Sequence, residues 1–429
     1  MTELAHHIQT TPMADTHEHL YKEARYVDDG PDVLEDLFAK NYIVADLVVA
    51  GATPAAAERL RDSHDPDIEA RWNGVKDAWQ HCQHTGYGQA VRMIAQQVYG
   101  MDEITLPALL AARDRNVRLR RPGERRRILQ QEGNLEYVQV DDLCWECLPD
   151  ESGPDFFLYD LSWRTLCSGE IDVAQIHHAV GIDVTDTESL REAMAAIFDK
   201  WAPCAIAVKS QHAYDRTLLW QERSDADANR ALQRLLAGGE ITPDDRLCLG
   251  DWCLSRGVEL AMQHHRPFKL HTGYFCRTNR LILARVRPAH LCTLLIRYPD
   301  AHFVLMHAGY PYTNEMLAVA KHFPNVYVDL CWAWSIDPPA ASQFVRRLIH
   351  TVPTNKLFVF GGDTLWPNAA VAYARQARQW LNRALQAEID AGELTEREAV
   401  TLASRFMHLN QKECFDLDGT RAAIHAAMR

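Results

Sequence analysis

Short apolar segments alternate with longer helical ones along most of the chain, and this alternation predicts the fold. Eight apolar segments have the length of buried strands and end at polar residues. Segments of helical periodicity separate them, which is typical of parallel strands in successive βα units. Eight such units fit a closed (β/α)8 TIM barrel, an α/β fold. The predicted strands are Asp15–His19, Leu135–Val140, Phe156–Tyr159, Ala205–Val208, Phe268–Leu270, His302–Met306, Val326–Leu330 and Leu357–Phe360.

The region between the first two predicted strands does not follow this alternation. Residues 30–131 carry helical spacing and no alternating strand pattern. This region is too long for an ordinary connection between two strands. We therefore expect a single barrel domain over residues 1–429, with residues 30–131 as a helical insertion or lid.

Two sequence patterns predict where later helices begin. Thr185 and Glu188 have the spacing of a capping box, which predicts the start of a helix that runs to Trp201. Thr395 and Glu398 have the same spacing and predict the start of the final helix.

Composition and charge exclude several classes of function. The chain is 47% hydrophobic and 24% charged, which is typical of a globular protein with a large core. Its net charge of -13 argues against nucleic acid or an anionic membrane as a partner. Eleven scattered cysteines indicate reduced thiols, and Met1–Thr11 lacks the apolar core of a signal peptide. We expect a soluble, cytoplasmic protein.

Polar residues with metal-binding or acid–base chemistry lie at the carboxyl ends of the predicted strands. Barrel enzymes build their active sites at this face, so these residues are expected to converge on one mouth. His17 and His19 project on the same side of a strand, and imidazole nitrogens suit zinc and its first-row neighbours. The full set is His17, His19, Lys209, His271, His307 and Asp363.

This order of residues resembles the amidohydrolase superfamily. The resemblance rests on Asp15–His19, His271–Tyr274, His307–Pro311 and Phe360–Asp363. These motifs are similar to the superfamily's branch of metal-dependent hydrolases, which also includes uronate isomerase-like and decarboxylase-like members. The resemblance implies a barrel and divalent-metal chemistry, and it says little about the substrate.

The resemblance also implies individual roles. His17, His19, His271 and Asp363 would bind one or two divalent ions, with zinc as the expected metal, and Asp363 would act as the general base. His307 would either bind a second metal or, as a neutral imidazole, polarise the substrate carbonyl. Lys209 would be either a carbamate that bridges two metals or an unmodified ammonium that holds a substrate carboxylate. Alternatively, Asp363 would only cap the helix that starts near Asn368.

We expect a metal-dependent hydrolase that cleaves an amide, ester or similar bond of a small polar substrate, which could carry a carboxylate. Non-oxidative decarboxylation or sugar-acid isomerisation at the same site is the alternative. A catalytically silent binding barrel is a third interpretation, and the intact set of ligands argues against it. We expect a homo-oligomer.

Residues that follow the strand ends are candidates for substrate contact: Tyr214, Arg216, Tyr274, Arg277, Trp332 and Trp366.

Overall fold

Parallel strands in sequential order form the centre of the computed structural model, which describes residues 2–39, 41–239, 241–276 and 278–429. Each strand pairs in parallel with the next one along the chain, apart from a break between β3 and β4. The strands are β1 (Met13–Glu18), β2 (Leu135–Val140), β3 (Phe157–Tyr159), β4 (Leu161–Ser162), β5 (Val208–Ser210), β6 (Phe268–Leu270), β7 (Phe303–Leu305), β8 (Val326–Asp329) and β9 (Leu357–Phe358).

Backbone hydrogen bonds outside the regular strands close this sheet into a barrel. Only Asp160 separates β3 from β4, so the two are halves of one bent strand. On the other side, the N–H of Thr16 donates to the carbonyl of Phe360 at 3.1 Å, which joins β1 to the segment after β9. The N–H of His19 donates to the carbonyl of Thr364 at 2.8 Å and extends this contact. The predicted (β/α)8 barrel is therefore confirmed.

Helices surround the barrel and fill most of the region between β1 and β2. Helix Glu3–Thr10 precedes the first strand. The helices between β1 and β2 are Glu23–Asp28, Ile43–Val49, Pro54–Leu60, Ile68–Asn73, Lys76–Cys82, Gly86–Tyr99, Leu106–Ala111, Arg113–Leu119 and Glu124–Arg127, with π-helical turns at Glu35–Ala39 and Ile128–Glu132. The later helices are Arg164–Cys167, Val173–Val180, Thr187–Trp201, Asp225–Leu236, Pro243–Gln263, Cys292–Arg297, Thr313–His322, Ala333–Ile336, Pro338–Ile349, Pro367–Asp390, Glu396–Ser404, Asn410–Cys414 and Leu417–Ala427.

The helices of residues 30–131 share one hydrophobic core with the barrel. Trp72, Trp79 and Phe38 are buried in the same cluster as the barrel-flanking residues. A hydrogen bond of 3.0 Å from Gln376 Nε2 to the carbonyl of Gly86 ties helix Gly86–Tyr99 to helix Pro367–Asp390. This region therefore packs as part of the barrel body.

None of the helices in the described part of the chain is long and apolar enough to cross a bilayer.

One of the two predicted capping boxes is confirmed and the other is wrong. Thr395 and Glu398 form the predicted reciprocal box, but the helix that they start is not the final one, because helix Leu417–Ala427 follows it. The helix that ends at Trp201 begins at Thr187, and its box joins Asp186 with Ser189. An aspartate caps a helix as well as a threonine does, so a shift by one residue left the sequence pattern ambiguous.

The barrel interior changes from apolar to polar toward the carboxyl ends of the strands. An apolar cluster that includes Ala14 and Leu158 fills the lower part, and Phe415 from the C-terminal region packs into it. Two residues further along these strands, Thr16 and Asp160 occupy the same face, because side chains in a strand alternate. Lys269 Nζ donates to both oxygens of Asp160 and to the carbonyl of Thr16, each at 2.8 Å.

The Lys269–Asp160 ion pair generates a prediction about stability, because both side chains are fully buried. Lys269→Met leaves a buried carboxylate without its cation, which should lower the free energy of unfolding by about 3–5 kcal/mol. Adding Asp160→Asn removes that charge and should restore much of the loss. Urea denaturation of the wild type, both single variants and the double variant measures the coupling, and additive losses would contradict it.

The same variants should differ in their pH dependence. Burial raises the pKa of Asp160 from its usual 3.8 to about 6. The folded state therefore disfavours the ionised carboxylate above this pKa, and the penalty is relieved as the pH falls toward 3.8. The deficit of Lys269→Met should be smaller at pH 6 than at pH 8, whereas the double variant should show no such change.

Candidate metal centre and active site

Three predicted site residues converge at the carboxyl end of the barrel. His17 and His19 lie at the end of β1, and their rings are 4.7 Å apart and nearly perpendicular. The Nε2 atoms of His17 and His19 lie 3.5 and 3.4 Å from Oδ1 of Asp363. One ligand atom from each residue lies within 4.8 Å of the others. Two imidazoles and a carboxylate at this spacing form a candidate metal centre.

Hydrogen bonds orient the ring of His19 toward this centre. Its Nδ1 donates to the carbonyl of Asp141 at 2.6 Å, because a carbonyl oxygen can only accept. In the neutral ring the lone pair then lies on Nε2, on the side of Asp363. A hydrogen bond of this kind on the far nitrogen is the usual support of a metal-binding histidine.

His17 is held neutral by its surroundings. It is 1% exposed. Burial and the nearby Lys209 charge lower its pKa well below 6.5. Its Nδ1 atom has no hydrogen-bond partner among the described residues and lies 4.0 Å from Oδ2 of Asp160. A buried neutral imidazole is the form that binds a metal ion.

The turn before Asp363 needs a glycine. A Cβ atom on Gly362 would lie 1.9 Å from Oε1 of Glu18. Asp363 itself has a positive φ of 60°. The Asp363 N–H donates to the carbonyl of His17 at 2.9 Å, which fixes this turn against β1.

His271 and His307 form a second buried pair beside the first cluster. Nε2 of His271 donates to the carbonyl of Tyr274 at 2.9 Å, and Nδ1 of His307 donates to the carbonyl of Cys331 at 2.9 Å. Burial lowers the pKa of His307 to about 4 and that of His271 well below 6.5. Both rings are therefore neutral, and the two nitrogens that face each other at 2.9 Å both carry lone pairs.

Two facing lone pairs are satisfied by a cation, so this pair fits a metal in the site. The donor set also fits the expected metal, since imidazole nitrogen and carboxylate oxygen are common ligands of zinc. The compact group consists of His17, His19 and Asp363. His271, the remaining expected ligand, meets this group through His307, whose Nε2 is 3.9 Å from Oδ2 of Asp363.

Lys209 lies in β5 with its side chain directed into the mouth. It is 1% exposed, yet it contributes to the cavity wall. Burial lowers its pKa from 10.5, while the carboxylates of Asp141 and Asp363 oppose this shift. The amine thus stands between acidic groups at the floor of the site.

A cavity of about 730 Å³ opens above these residues. His17, His19, His271, Lys209 and Asp363 contribute to its floor. Cationic residues also contribute to the wall: Lys22, Arg25 and Arg164.

These three cations make defined contacts. The Arg25 guanidinium lies 3.5 Å from the centre of the Tyr21 ring. Both carboxylate oxygens of Asp215 accept hydrogen bonds from Arg164. Lys22 Nζ likewise lies 4.0 Å from Oδ2 of Asp142, which also lines the cavity, so the rim carries both positive and negative groups.

The predicted substrate contacts separate into two groups. Tyr214 contributes to the cavity wall. Arg216, the other candidate that follows Lys209, is not among the residues that line the cavity. Its guanidinium donates to Asp251 at 2.9 Å and to the carbonyl of Cys167 at 2.6 Å, so two of its three nitrogens are engaged inside the protein.

The aromatic candidates pack behind the cavity wall and not along it. Trp366 is 2% exposed and packs against the ring of Tyr21. Trp332 is 2% exposed and lies edge-on to His307, with ring centres 5.5 Å apart. Tyr274 acts through its carbonyl, which accepts from His271. None of these three lines the cavity, and Arg277 lies outside the described residues.

Two residues of the site were missed. Asp141 follows β2 and contributes to the cavity wall, and its position at a strand end is a pattern that could have identified it. Tyr42 comes from the helical region, and its hydroxyl donates to the backbone carbonyl of Asp363 and lies 3.0 Å from Oδ1. Nothing in the local sequence around Tyr42 indicates this contact.

A family model and one curated protein each match about half of this chain. The family model described as amidohydrolase matches residues 184–400. Protein fluG of Emericella nidulans is 28% identical over 228 residues, which are 50% of this chain and 26% of that protein. The chain therefore spans only about a quarter of the length of this curated relative.

Several solved structures match nearly the whole chain, among them the following two. Glucuronate isomerase from Caulobacter crescentus has a TM-score of 0.79 at 16% identity, covering 97% of this chain and 93% of that chain. Uronate isomerase from Thermotoga maritima has a TM-score of 0.78 at 14% identity, covering 96% of each chain. At these identities the likeness establishes the fold.

The contact of Tyr42 with Asp363 generates a prediction. Tyr42→Phe removes the hydrogen bond that holds the carboxylate, which should weaken divalent-metal affinity by about 10–100-fold. Competition with a chelating dye measures this affinity. Tyr87→Phe is the matched control, because its ring also packs on Trp332 and its hydroxyl has no partner in the described part of the chain. Equal metal affinity in the two variants would contradict a positioning role for Tyr42.

Proposed function

The chain belongs to the amidohydrolase family, and from this premise we propose that it is a metal-dependent hydrolase. Its substrate is a small polar molecule with a carboxylate group, and the bond that it cleaves is an amide, an ester or a related carbonyl bond. The observation that carries this proposal is the convergence of His17, His19 and Asp363 at the floor of a cavity whose wall also includes Lys22, Arg25 and Arg164.

His17, His19 and Asp363 would hold the metal, with His271 as a further ligand after a small movement. Zinc is the expected ion, because it accepts nitrogen and oxygen ligands and leaves a position open for the substrate. When bound, the ion supplies Lewis-acid polarisation of the scissile carbonyl and of the attacking water.

Asp363 is proposed as the general base. Its Oδ1 faces the two histidines of β1, while the carboxylate as a whole borders the cavity. It takes the proton from the attacking water and passes it to the leaving group, as a carboxylate within hydrogen-bond reach of both can do. The Tyr42 hydroxyl keeps the carboxylate in this orientation.

The hydrogen bonds of His307 favour one of its two expected roles. Its N–H donates to the carbonyl of Cys331, so the neutral ring has no N–H left for a substrate carbonyl. Polarisation of the substrate by His307 does not fit this geometry, and a role as a ligand does.

Lys209 is proposed as an ammonium that attracts the substrate carboxylate. Its position in the cavity floor, below the rim cations Lys22 and Arg25, supports this role. Carbamylation is the alternative, and it would replace a cation by an anion.

Residues 30–131 are proposed to cover the mouth, since Tyr42 of this region reaches Asp363.

Isomerisation of a sugar acid is the second candidate. It is favoured by the full-length likeness to one structure described as a glucuronate isomerase and one described as a uronate isomerase, and a uronate would bring a carboxylate to Lys209 and Arg25 in the cavity wall. Decarboxylation stays an alternative use of the same site.

Cytoplasmic location and homo-oligomeric assembly stay predictions from the sequence.

Metal analysis and a substrate panel test the proposal. Protein purified without chelator should contain about one or two divalent ions per chain, mainly zinc. A panel of N-acyl amino acids, lactones, uronates and aromatic acids should reveal hydrolysis of one carboxylate-bearing class. The double variant His17→Ala/His19→Ala should lose both the metal and this activity. Full metal content in that variant, or turnover of uronates alone, would overturn the hydrolase proposal.

Asp363→Asn tests the general base separately. Asparagine keeps the shape and one oxygen, and it tolerates the positive φ of this position. It cannot accept a proton from water at neutral pH, so turnover should fall by about a hundred- to ten-thousandfold. Thermal melting should stay close to that of the wild type. A variant that melts early but turns over normally would instead indicate a helix-capping role.

A further inference from the structure

Cys331 lies at the same mouth as the candidate metal centre. It follows β8, is completely buried, and its N–H donates to Oδ1 of Asp329 at 2.8 Å. Its sulfur, one ring nitrogen of His307 and one carboxylate oxygen of Asp363 all lie within 4.8 Å of one another. These are three residue types that bind zinc, and they come from the ends of three different strands.

The two carboxylate oxygens of Asp363 face different donors. Oδ1 lies 3.5 and 3.4 Å from Nε2 of His17 and His19. Oδ2 lies on the side of His307, 3.9 Å from its Nε2. A carboxylate in this orientation can bridge two neighbouring cations, with one oxygen for each.

An independent observation indicates a cation beside His307. The hydrogen bond from its Nδ1 to the carbonyl of Cys331 leaves a lone pair on Nε2. This lone pair faces Nδ1 of His271 at 2.9 Å, and that nitrogen is also an acceptor, because Nε2 of His271 donates to the carbonyl of Tyr274. Both histidines are at most 2% exposed, so water cannot easily solvate the pair.

The backbone near Cys331 leaves room for its sulfur. A Cβ atom on Gly361 would approach Sγ of Cys331 to 2.9 Å and the N atom of His17 to 3.0 Å. The glycine therefore allows the thiol and the end of β1 to share the mouth. A larger residue at position 361 would crowd both the thiol and the backbone of His17.

We propose that His307, Cys331 and Asp363 form a second divalent-metal position, adjacent to the one formed by His17 and His19, with Asp363 as the bridge. Cys331 binds as a thiolate, and its proton leaves to solvent when the ion binds. This inference rests on the proposed function only through the shared Asp363. It makes the centre binuclear through a cysteine, without a carbamate on Lys209.

A thiolate ligand has a consequence for metal choice. Soft sulfur ligands favour zinc, cobalt and cadmium ions over magnesium and manganese, which prefer oxygen. The second position should therefore discriminate against hard cations more strongly than a set of imidazoles and carboxylates would.

Cobalt titration of the full-length apoprotein tests the proposal, because Co²⁺ bound to a thiolate absorbs in the near ultraviolet. Protein freed of metal by a chelator and then dialysed should bind about two Co²⁺ ions per chain, since each position holds one. One of the two binding steps should produce the thiolate-to-cobalt absorption. Binding of a single ion without this absorption would overturn the proposal.

Cys331→Ser and Cys276→Ser form a matched pair of variants. Cys276 contributes to the wall of the same cavity and lies outside the proposed set of ligands. Cys331→Ser should lose the near-ultraviolet absorption and bind one Co²⁺ ion fewer, while Cys276→Ser should keep both properties. Loss of the absorption only in Cys276→Ser would show that the thiolate comes from another residue and would overturn the assignment.

A measurement on the wild type alone covers the case in which Cys331→Ser fails to fold. X-ray absorption of the zinc-loaded protein should detect a sulfur neighbour at about 2.3 Å from zinc. Zinc with only nitrogen and oxygen neighbours would contradict the proposal. Two bound ions with a sulfur neighbour but no hydrolysis would refute the proposed function alone, and hydrolysis by a sulfur-free centre would refute the second metal position alone.

Discussion

The closure of the barrel is the constraint on which the rest of this structure depends. The first strand and the segment after the last one meet through three backbone hydrogen bonds, from Thr16 to Phe360, from Asp363 to His17 and from His19 to Thr364. The middle bond joins the backbones of two residues whose side chains face each other in the candidate metal centre. Closing the barrel and assembling the site are therefore one event, and neither can be distorted without the other.

Backbone strain is concentrated at the same face. Asp363, His307 and Trp332 all have a φ near +60°, a region that costs a residue with a side chain about 1–2 kcal/mol. Such strain persists only where the surroundings fix the conformation, and here parallel strands and buried hydrogen bonds do so. The turn after β8 sets the positions of two side chains. It brings the thiol of Cys331 close to His307 and Asp363, and it packs the ring of Trp332 against His307.

Much of the fold could be predicted because it follows local rules. β2 has the bounds that the apolar pattern predicts, and His17, His19, Lys209 and Asp363 meet because the ends of parallel strands share one face. The ion pair of Asp160, at the break between β3 and β4, could not be predicted, since its partner Lys269 lies 109 positions away on another strand.

Contacts between distant parts of the chain limited the prediction of the site in the same way. Tyr42 contacts Asp363, which lies 321 positions away in the sequence, and no local sequence pattern indicates a contact between residues so far apart. Arg216 follows Lys209 closely, as a substrate ligand could, yet its guanidinium turns away to Asp251. The direction of a side chain in a loop is decided by partners that the sequence alone does not identify.

The bond between Thr16 and Phe360 spans 344 positions, and this separation has a consequence for how the protein matures. A ribosome that adds about 5–20 residues per second needs roughly 20–70 s to cover such a distance. Throughout that interval the nascent chain displays the His-x-His pair of β1 with neither its carboxylate nor the strand that completes the barrel. A metal ion captured during synthesis would be bound without this carboxylate, so the complete set of ligands can discriminate among the metals of the cell only after Asp363 has emerged.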